Sequence, residues 1–133
     1  MNLNQVTVPV RDVEASAAFY RKLGLMPIVE SFPKYARFEC PDGGATFSLH
    51  QSDEMSRSPG VVVYFECVDV DAAVERLRGK GLFFEQEPVD QPWLWREAYL
   101  RDPDGHRICV YHAGTNRRFP PWRLAEDDPL EEG

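Results

Sequence analysis

Apolar and polar residues alternate along several short stretches of the chain, and each stretch keeps its apolar residues on one side. In a strand, residues i and i+2 share a face. Val6, Val8 and Val10 therefore oppose Gln5, Thr7 and Pro9 in the first strand, and Phe47 and Leu49 oppose Thr46, Ser48 and His50 in the fourth. Val61, Val63 and Phe65 oppose Val62, Tyr64 and Glu66 in the fifth, and Ile108 and Val110 oppose Arg107, Cys109 and Tyr111 in the eighth. One apolar and one mixed face is the pattern of a sheet covered by helices on one side and open on the other. The remaining strands are expected at Met26–Glu30, Tyr35–Cys40, Phe83–Glu87 and Trp93–Asp102.

The pattern repeats. VPVRDVEASAAFYRKLGL (8–25) matches FECVDVDAAVERLRGKGL (65–82): Asp12 falls on Asp69, Val13 on Val70, Ala15 on Ala72, Gly24 on Gly81 and Leu25 on Leu82, always 57 residues apart. Asp12 and Asp69 suit helix N-caps, where a carboxylate accepts from free backbone N–H groups. Glu14 and Asp71 favour the positive helix end, Arg21, Lys22, Arg76 and Arg78 the negative one, and Gly24 and Gly81 can take the left-handed closing conformation. More weakly, Pro41-Asp42-Gly43 and Pro103-Asp104-Gly105 each form a turn signal before an alternating strand. Each unit is predicted to be βαβββ, over 1–56 and 57–112, together one α+β domain. From 113 to 133 the chain is rich in proline and acid and is expected to be an extended arm with a disordered end.

Composition narrows the function. With 133 residues and 43% hydrophobic content, the chain can build one real core. A formal net charge of −7 argues against nucleic acid. Three widely spaced cysteines, Cys40, Cys67 and Cys109, read as reduced thiols in a cytoplasm. The N-terminus has no basic region before a long apolar run, so neither signal peptide nor membrane span is expected.

Three segments carry a family resemblance. LNQVTVPVRDVEASAAFYRKLGL resembles the opening strand and helix of the vicinal oxygen chelate superfamily, which includes glyoxalases, bleomycin resistance proteins and extradiol dioxygenases. YFECVDVDAAVERLRGKGL resembles the start of its second module, and AYLRDPDGHRICVYH its closing strand. The resemblance spans the first 112 residues. It implies two tandem βαβββ modules forming an open, barrel-like cleft, commonly in a homodimer, sometimes with exchanged modules.

The mixed faces then become the ligand-binding cleft: Gln5, Thr7, Ser48 and His50 from the first module, and Val62, Tyr64, Glu66, Arg107, Cys109 and Tyr111 from the second. Trp93 and Trp95 are expected to join them. The resemblance places the metal-ligand positions of catalytic relatives on Gln5, Ser48, Val62 and Cys109. Val62 has no lone pair, Gln5 is a neutral donor, and Ser48 binds divalent ions poorly unless ionised. His50 is the one further donor on that face. No metal or other cofactor is expected. The reading is a protein that binds a small organic ligand, with aromatic side chains holding flat or cationic groups beside Glu66 and Glu97.

Two alternatives stand beside it. One is an enzyme of glyoxalase or dioxygenase type acting on a small carbonyl or aromatic substrate, either with zinc, nickel, manganese or iron, or with Glu66 or Glu97 as a metal-free catalytic base. An ion pair between Glu66 and Arg107, and a buried inert Cys109 in place of a nucleophile, are the plainer expectations for those residues. The other alternative is an interaction module working through its dimer surface and the arm from Arg117 to Arg123.

Overall fold

Val8 and Val10 in β1 (Gln5–Val10) are buried while Gln5, Thr7 and Pro9 are not, so the strand turns its apolar side to a helix as its alternation demands. In the computed structural model, which describes residues 2–54 and 61–125, the order continues α1 (Val13–Leu23), β2 (Met26–Ser31), β3 (Tyr35–Glu39) and β4 (Thr46–Gln51). The second unit repeats it: β5 (Val62–Glu66), α2 (Val70–Gly79), β6 (Phe84–Asp90), β7 (Arg96–Arg101) and β8 (Arg107–His112). Each unit is one four-stranded sheet, ordered β1-β4-β3-β2 and β5-β8-β7-β6. The first two strands of each order pair in parallel and the others antiparallel. The boundary expected between residues 56 and 57 lies outside the described residues.

The helix ends repeat bond for bond. Asp12 accepts from the Ala15 N–H at 3.1 Å, and Asp69 from the Ala72 N–H at 3.0 Å. Gly24 N–H donates to Arg21 and Leu25 N–H to Tyr20; Gly81 N–H donates to Arg78 and Leu82 N–H to Leu77. Both glycines have positive φ, +119° and +93°, which a side chain would disfavour.

The helix-covered faces of the two sheets meet in one apolar core. Tyr20, Phe38, Phe47 and Leu49 belong to the same buried cluster as Val74, Leu77, Leu100 and Ile108. The Phe47 ring packs edge-on against Phe65 across the modules, centroids 6.0 Å apart. Polar clamps flank that contact. The Asp102-Pro103-Asp104-Gly105 turn grips the start and middle of α1: Asp104 accepts from the Arg11 backbone N–H at 3.0 Å and the Ser16 hydroxyl at 3.3 Å, and Asp102 accepts from the Tyr20 hydroxyl. A ring nitrogen of His106 lies 2.6 Å from the carbonyl of Pro9.

Two strand assignments shift. The seventh strand, expected over Trp93–Asp102, begins only at Arg96, because residues 91–95 close a turn with Gln91 N–H donating to Trp95 and Leu94 N–H to Gln91. The sixth runs on to Asp90, carried past Pro88 by two irregularities in its pairing with β7. The arm begins with a 3-10 turn at Gly114–Arg117, where an extended segment is expected; its acidic end, 126–133, lies outside the described residues.

Candidate functional site

The open face of the second sheet is aromatic. The register sets Tyr64, Cys109 and Tyr99 in one row across β5, β8 and β7, with Val62, Arg107 and Arg101 in the row before and Glu66, Tyr111 and Glu97 in the row after. Trp95 stacks on Tyr111, centroids 4.7 Å apart and planes 22° from parallel, while the Tyr64 ring stands edge-on to both. Tyr64 and Trp93 are exposed, whereas Cys109, Tyr111 and Glu97 are buried. Glu97 has both oxygens occupied: Trp93 Nε1 donates to one at 2.9 Å and the Tyr99 hydroxyl to the other at 3.2 Å. The Arg107 guanidinium lies over the Tyr99 ring, 4.2 Å from its centroid.

Burial suppresses ionisation on this face. The Cys109 thiol is pushed up to about 12, by burial first and by the Glu97 charge second. Tyr99 and Tyr111 are also raised, burial again leading. All three are neutral near pH 7, so Cys109 is no activated nucleophile.

The open face of the first sheet is polar. Gln5 Nε2 donates to Ser48 Oγ at 3.1 Å and to Thr7 Oγ1 at 2.9 Å. Ser48 Oγ also shares a 2.7 Å hydrogen bond with the Tyr35 hydroxyl, which accepts from Arg37 Nε at 2.8 Å. Burial works to raise the Tyr35 phenol, but the bonds from Ser48 and Arg37 hold it below the ordinary tyrosine value. Tyr35, Arg37 and Tyr99 escape the sequence analysis. Their i, i+2 spacing is visible in the chain, but that β3 and β7 lie beside β4 and β8 is not.

Within one chain the two faces do not close on each other. The helix-covered sides share the core, so the open sides look away from it, and among the described residues no hydrogen bond or ring contact joins Gln5, Ser48 and Tyr35 to Tyr64, Cys109 and Tyr111. The expected cleft residues are thus divided between two open faces. Of those residues, Tyr64, Glu66 and Tyr111 also reach a groove of about 910 Å³ between the modules, opposite the turn at Cys40–Gly43. The groove follows from an asymmetry of the repeat. Where Tyr20 and Asp102 clamp one seam, the equivalent positions hold Leu77 and Cys40, which line the groove.

Three further expectations change. Glu66 does not pair with Arg107; it accepts from the Ala113 and Gly114 backbone N–H groups, each at 2.9 Å, with Arg117 and His112 beyond. Burial works to raise its carboxyl, but those donors and the two cations hold it below the ordinary glutamate value. Trp93 and Trp95 reach the open face from a turn and not from a strand. Glu97, expected beside cationic groups, is capped by a tryptophan and a tyrosine. His50 is exposed on the polar face, and a ring nitrogen of His112 lies 2.8 Å from the carbonyl of Cys67.

The residues at the four metal-ligand positions do not fit a divalent ion. Val62 carries no donor atom, the Gln5 amide oxygen accepts from the Thr46 hydroxyl, Ser48 Oγ is bonded to Gln5 and Tyr35, and Cys109 holds its proton. Among the described residues, no three of His, Cys, Asp and Glu gather as a metal cluster.

With fold and faces in view, the comparisons agree with this architecture. The model of the Glyoxalase/Bleomycin resistance protein/Dioxygenase superfamily matches residues 2–110, and the chain belongs to that superfamily. A glyoxalase/bleomycin resistance protein/dioxygenase from Nocardioides is similar in structure, with a TM-score of 0.76 and 27% identity, covering 94% of this chain and 90% of its own. The fold is shared with a superfamily enzyme from Burkholderia phytofirmans PsJN (TM-score 0.71, 20% identity, 85% of this chain and 99% of that one). It is shared too with a lactoylglutathione lyase from Agrobacterium tumefaciens (TM-score 0.68, 22% identity, 84% and 92%). No curated protein matches the chain. No helix among the described residues is long and apolar enough to cross a membrane.

Proposed function

We propose that the protein binds a small organic ligand on the aromatic face of its second sheet, without a metal, and that the polar first-sheet face of a second copy forms the opposite wall. The observation that carries this reading is the Trp95–Tyr111 stack with Tyr64 edge-on, an ordered aromatic platform on the face turned away from α1 and α2. Such rings offer area and orientation to a flat ligand.

The second copy follows from the geometry. Two half-sites that look away from one core meet when a two-fold axis sets the first sheet of one copy against the second sheet of the other. Among the described residues β1 and β5 are edge strands, and exposed Leu3 and Val61 stand just ahead of them, as apolar residues at a homodimer seam would. The three free thiols support a reducing compartment such as the cytoplasm. The metal-dependent glyoxalase or dioxygenase reading meets the donor set already described and has no support from it.

Sedimentation velocity and tryptophan-quenching titrations with small aromatic compounds, before and after chelator treatment, test the proposal. A dimer whose binding is indifferent to chelation is expected. A monomer, or binding that returns only with added zinc, nickel, manganese or iron, would overturn it.

A further inference from the structure

The charge balance of the aromatic face goes further than the presence of a platform. Both acids close to it are already occupied: Glu97 by Trp93 and Tyr99, Glu66 by two backbone N–H groups. The cation beside them is not. Among the buried side-chain nitrogens and oxygens of the described residues, Arg107 Nε alone lacks a hydrogen-bond partner. No carboxylate of the described residues lies within ion-pair distance of Arg107, although Arg96 and Arg101 on the neighbouring strand are both paired.

Nε itself is closed off from any ligand, but the terminal Nη groups of Arg107 have no carboxylate partner among the described residues, and an anion can supply their acceptor. The Tyr99 ring beneath holds the guanidinium plane in place, which suits a planar, two-pronged acceptor. Along β8, Arg107 and Tyr111 are four residues apart on one face, a span of roughly 13 Å. A ligand with a charged head at Arg107 and a flat body toward Tyr64, Tyr111 and Trp95 matches that span. The opposite wall expected from a second copy adds another guanidinium, Arg37, bonded to a phenol and not to a carboxylate.

We propose that this face selects organic anions, meaning a flat ring system bearing a carboxylate, sulfonate or phosphate, with Arg107 as the residue that reads the charge. The proposal rests on the small-molecule reading above and sets an anionic group where a flat or cationic one is expected beside Glu66 and Glu97.

Three probes of one shape separate the cases: 2-naphthoate, 2-naphthol and 2-naphthylmethylammonium, titrated by calorimetry and tryptophan quenching into the full-length protein at pH 7. The wild type is expected to bind the carboxylate about ten- to hundredfold more tightly than the ammonium, with the neutral phenol between them. Arg107→Met is expected to abolish the preference while the phenol binds as before. Trp95→Ala is expected to weaken all three, which ties binding to this face. Equal binding of all three by the wild type, or an anion preference that survives in Arg107→Met, overturns the charge selection and leaves the small-molecule reading intact. Binding of none overturns both. The wild-type ranking decides the matter even if Arg107→Met fails to fold, which its melting curve would reveal.

Discussion

The Tyr20 hydroxyl donates to the buried carboxylate of Asp102 at 2.8 Å, joining the helix of the first module to the closing turn of the second. The other carboxylate oxygen accepts from the Asp104 and His106 backbone N–H groups, so the side chain is fully used. Burial holds the Asp102 carboxyl above its ordinary value, against the lowering effect of Tyr20 and the backbone donors. Removing the phenol leaves one oxygen buried without its partner. Tyr20→Phe is expected to cost about 1–3 kcal/mol, measured by urea denaturation, with the open faces of both sheets unchanged. A loss below about 0.5 kcal/mol would mean that water replaces the hydroxyl and that the clamp is dispensable.

Glu66 gives a pH dependence of defined sign. Its folded-state carboxyl lies below the ordinary value, so its contribution to stability is complete above about pH 5 and is lost as the pH falls through the folded-state value. Melting temperatures followed from pH 6 to pH 3 are expected to fall less steeply in Glu66→Gln than in the wild type. Parallel curves would show that the Ala113 and Gly114 bonds do not favour the ionised form.

The three thiols are expected to separate by reactivity. Cys40 and Cys67 are half-buried, while Cys109 is fully buried with its thiol at about 12. At pH 8 a disulfide reagent such as Ellman's is expected to titrate the first two slowly and Cys109 only after unfolding. Rapid modification of Cys109 in the folded protein would contradict its burial.

Metal binding is expected to be restorable. Val62→His with Cys109→Glu adds two strong donors to the open face of the second sheet, where a second copy would bring Gln5 and Ser48. Zinc or nickel binding at one ion per chain, measured by calorimetry, is expected from the double variant and not from the wild type. A double variant that stays dimeric and folded but takes up no ion would mean that the half-sites do not meet as drawn.

Much of this architecture is legible in the chain because it is local. The caps at Asp12 and Asp69, the closing glycines and the face of each strand follow from residues a few positions apart. The missing parts depend on pairing across the sheet or between modules. Tyr35 and Arg37 join the polar face only because β3 lies beside β4, and Tyr99 joins the aromatic face through β7. Glu66 is taken by the backbone at Ala113 and Gly114, nearly fifty residues away, and nothing in its own strand announces that. Asp102 and Asp104 tie the second module to α1, although their motif reads as a plain turn.

The bond-for-bond repeat of the two helix ends has a consequence for how such a protein changes over time. Each half of the coding sequence carries one copy of the frame and one open sheet face, and the two copies complete a single shared core. Substitutions that retune the charged, ring-lined wall leave the hydroxyl-rich wall's frame undisturbed, and the reverse holds as well. A single duplicated frame can thus vary its two open faces one at a time while both copies keep the core they share.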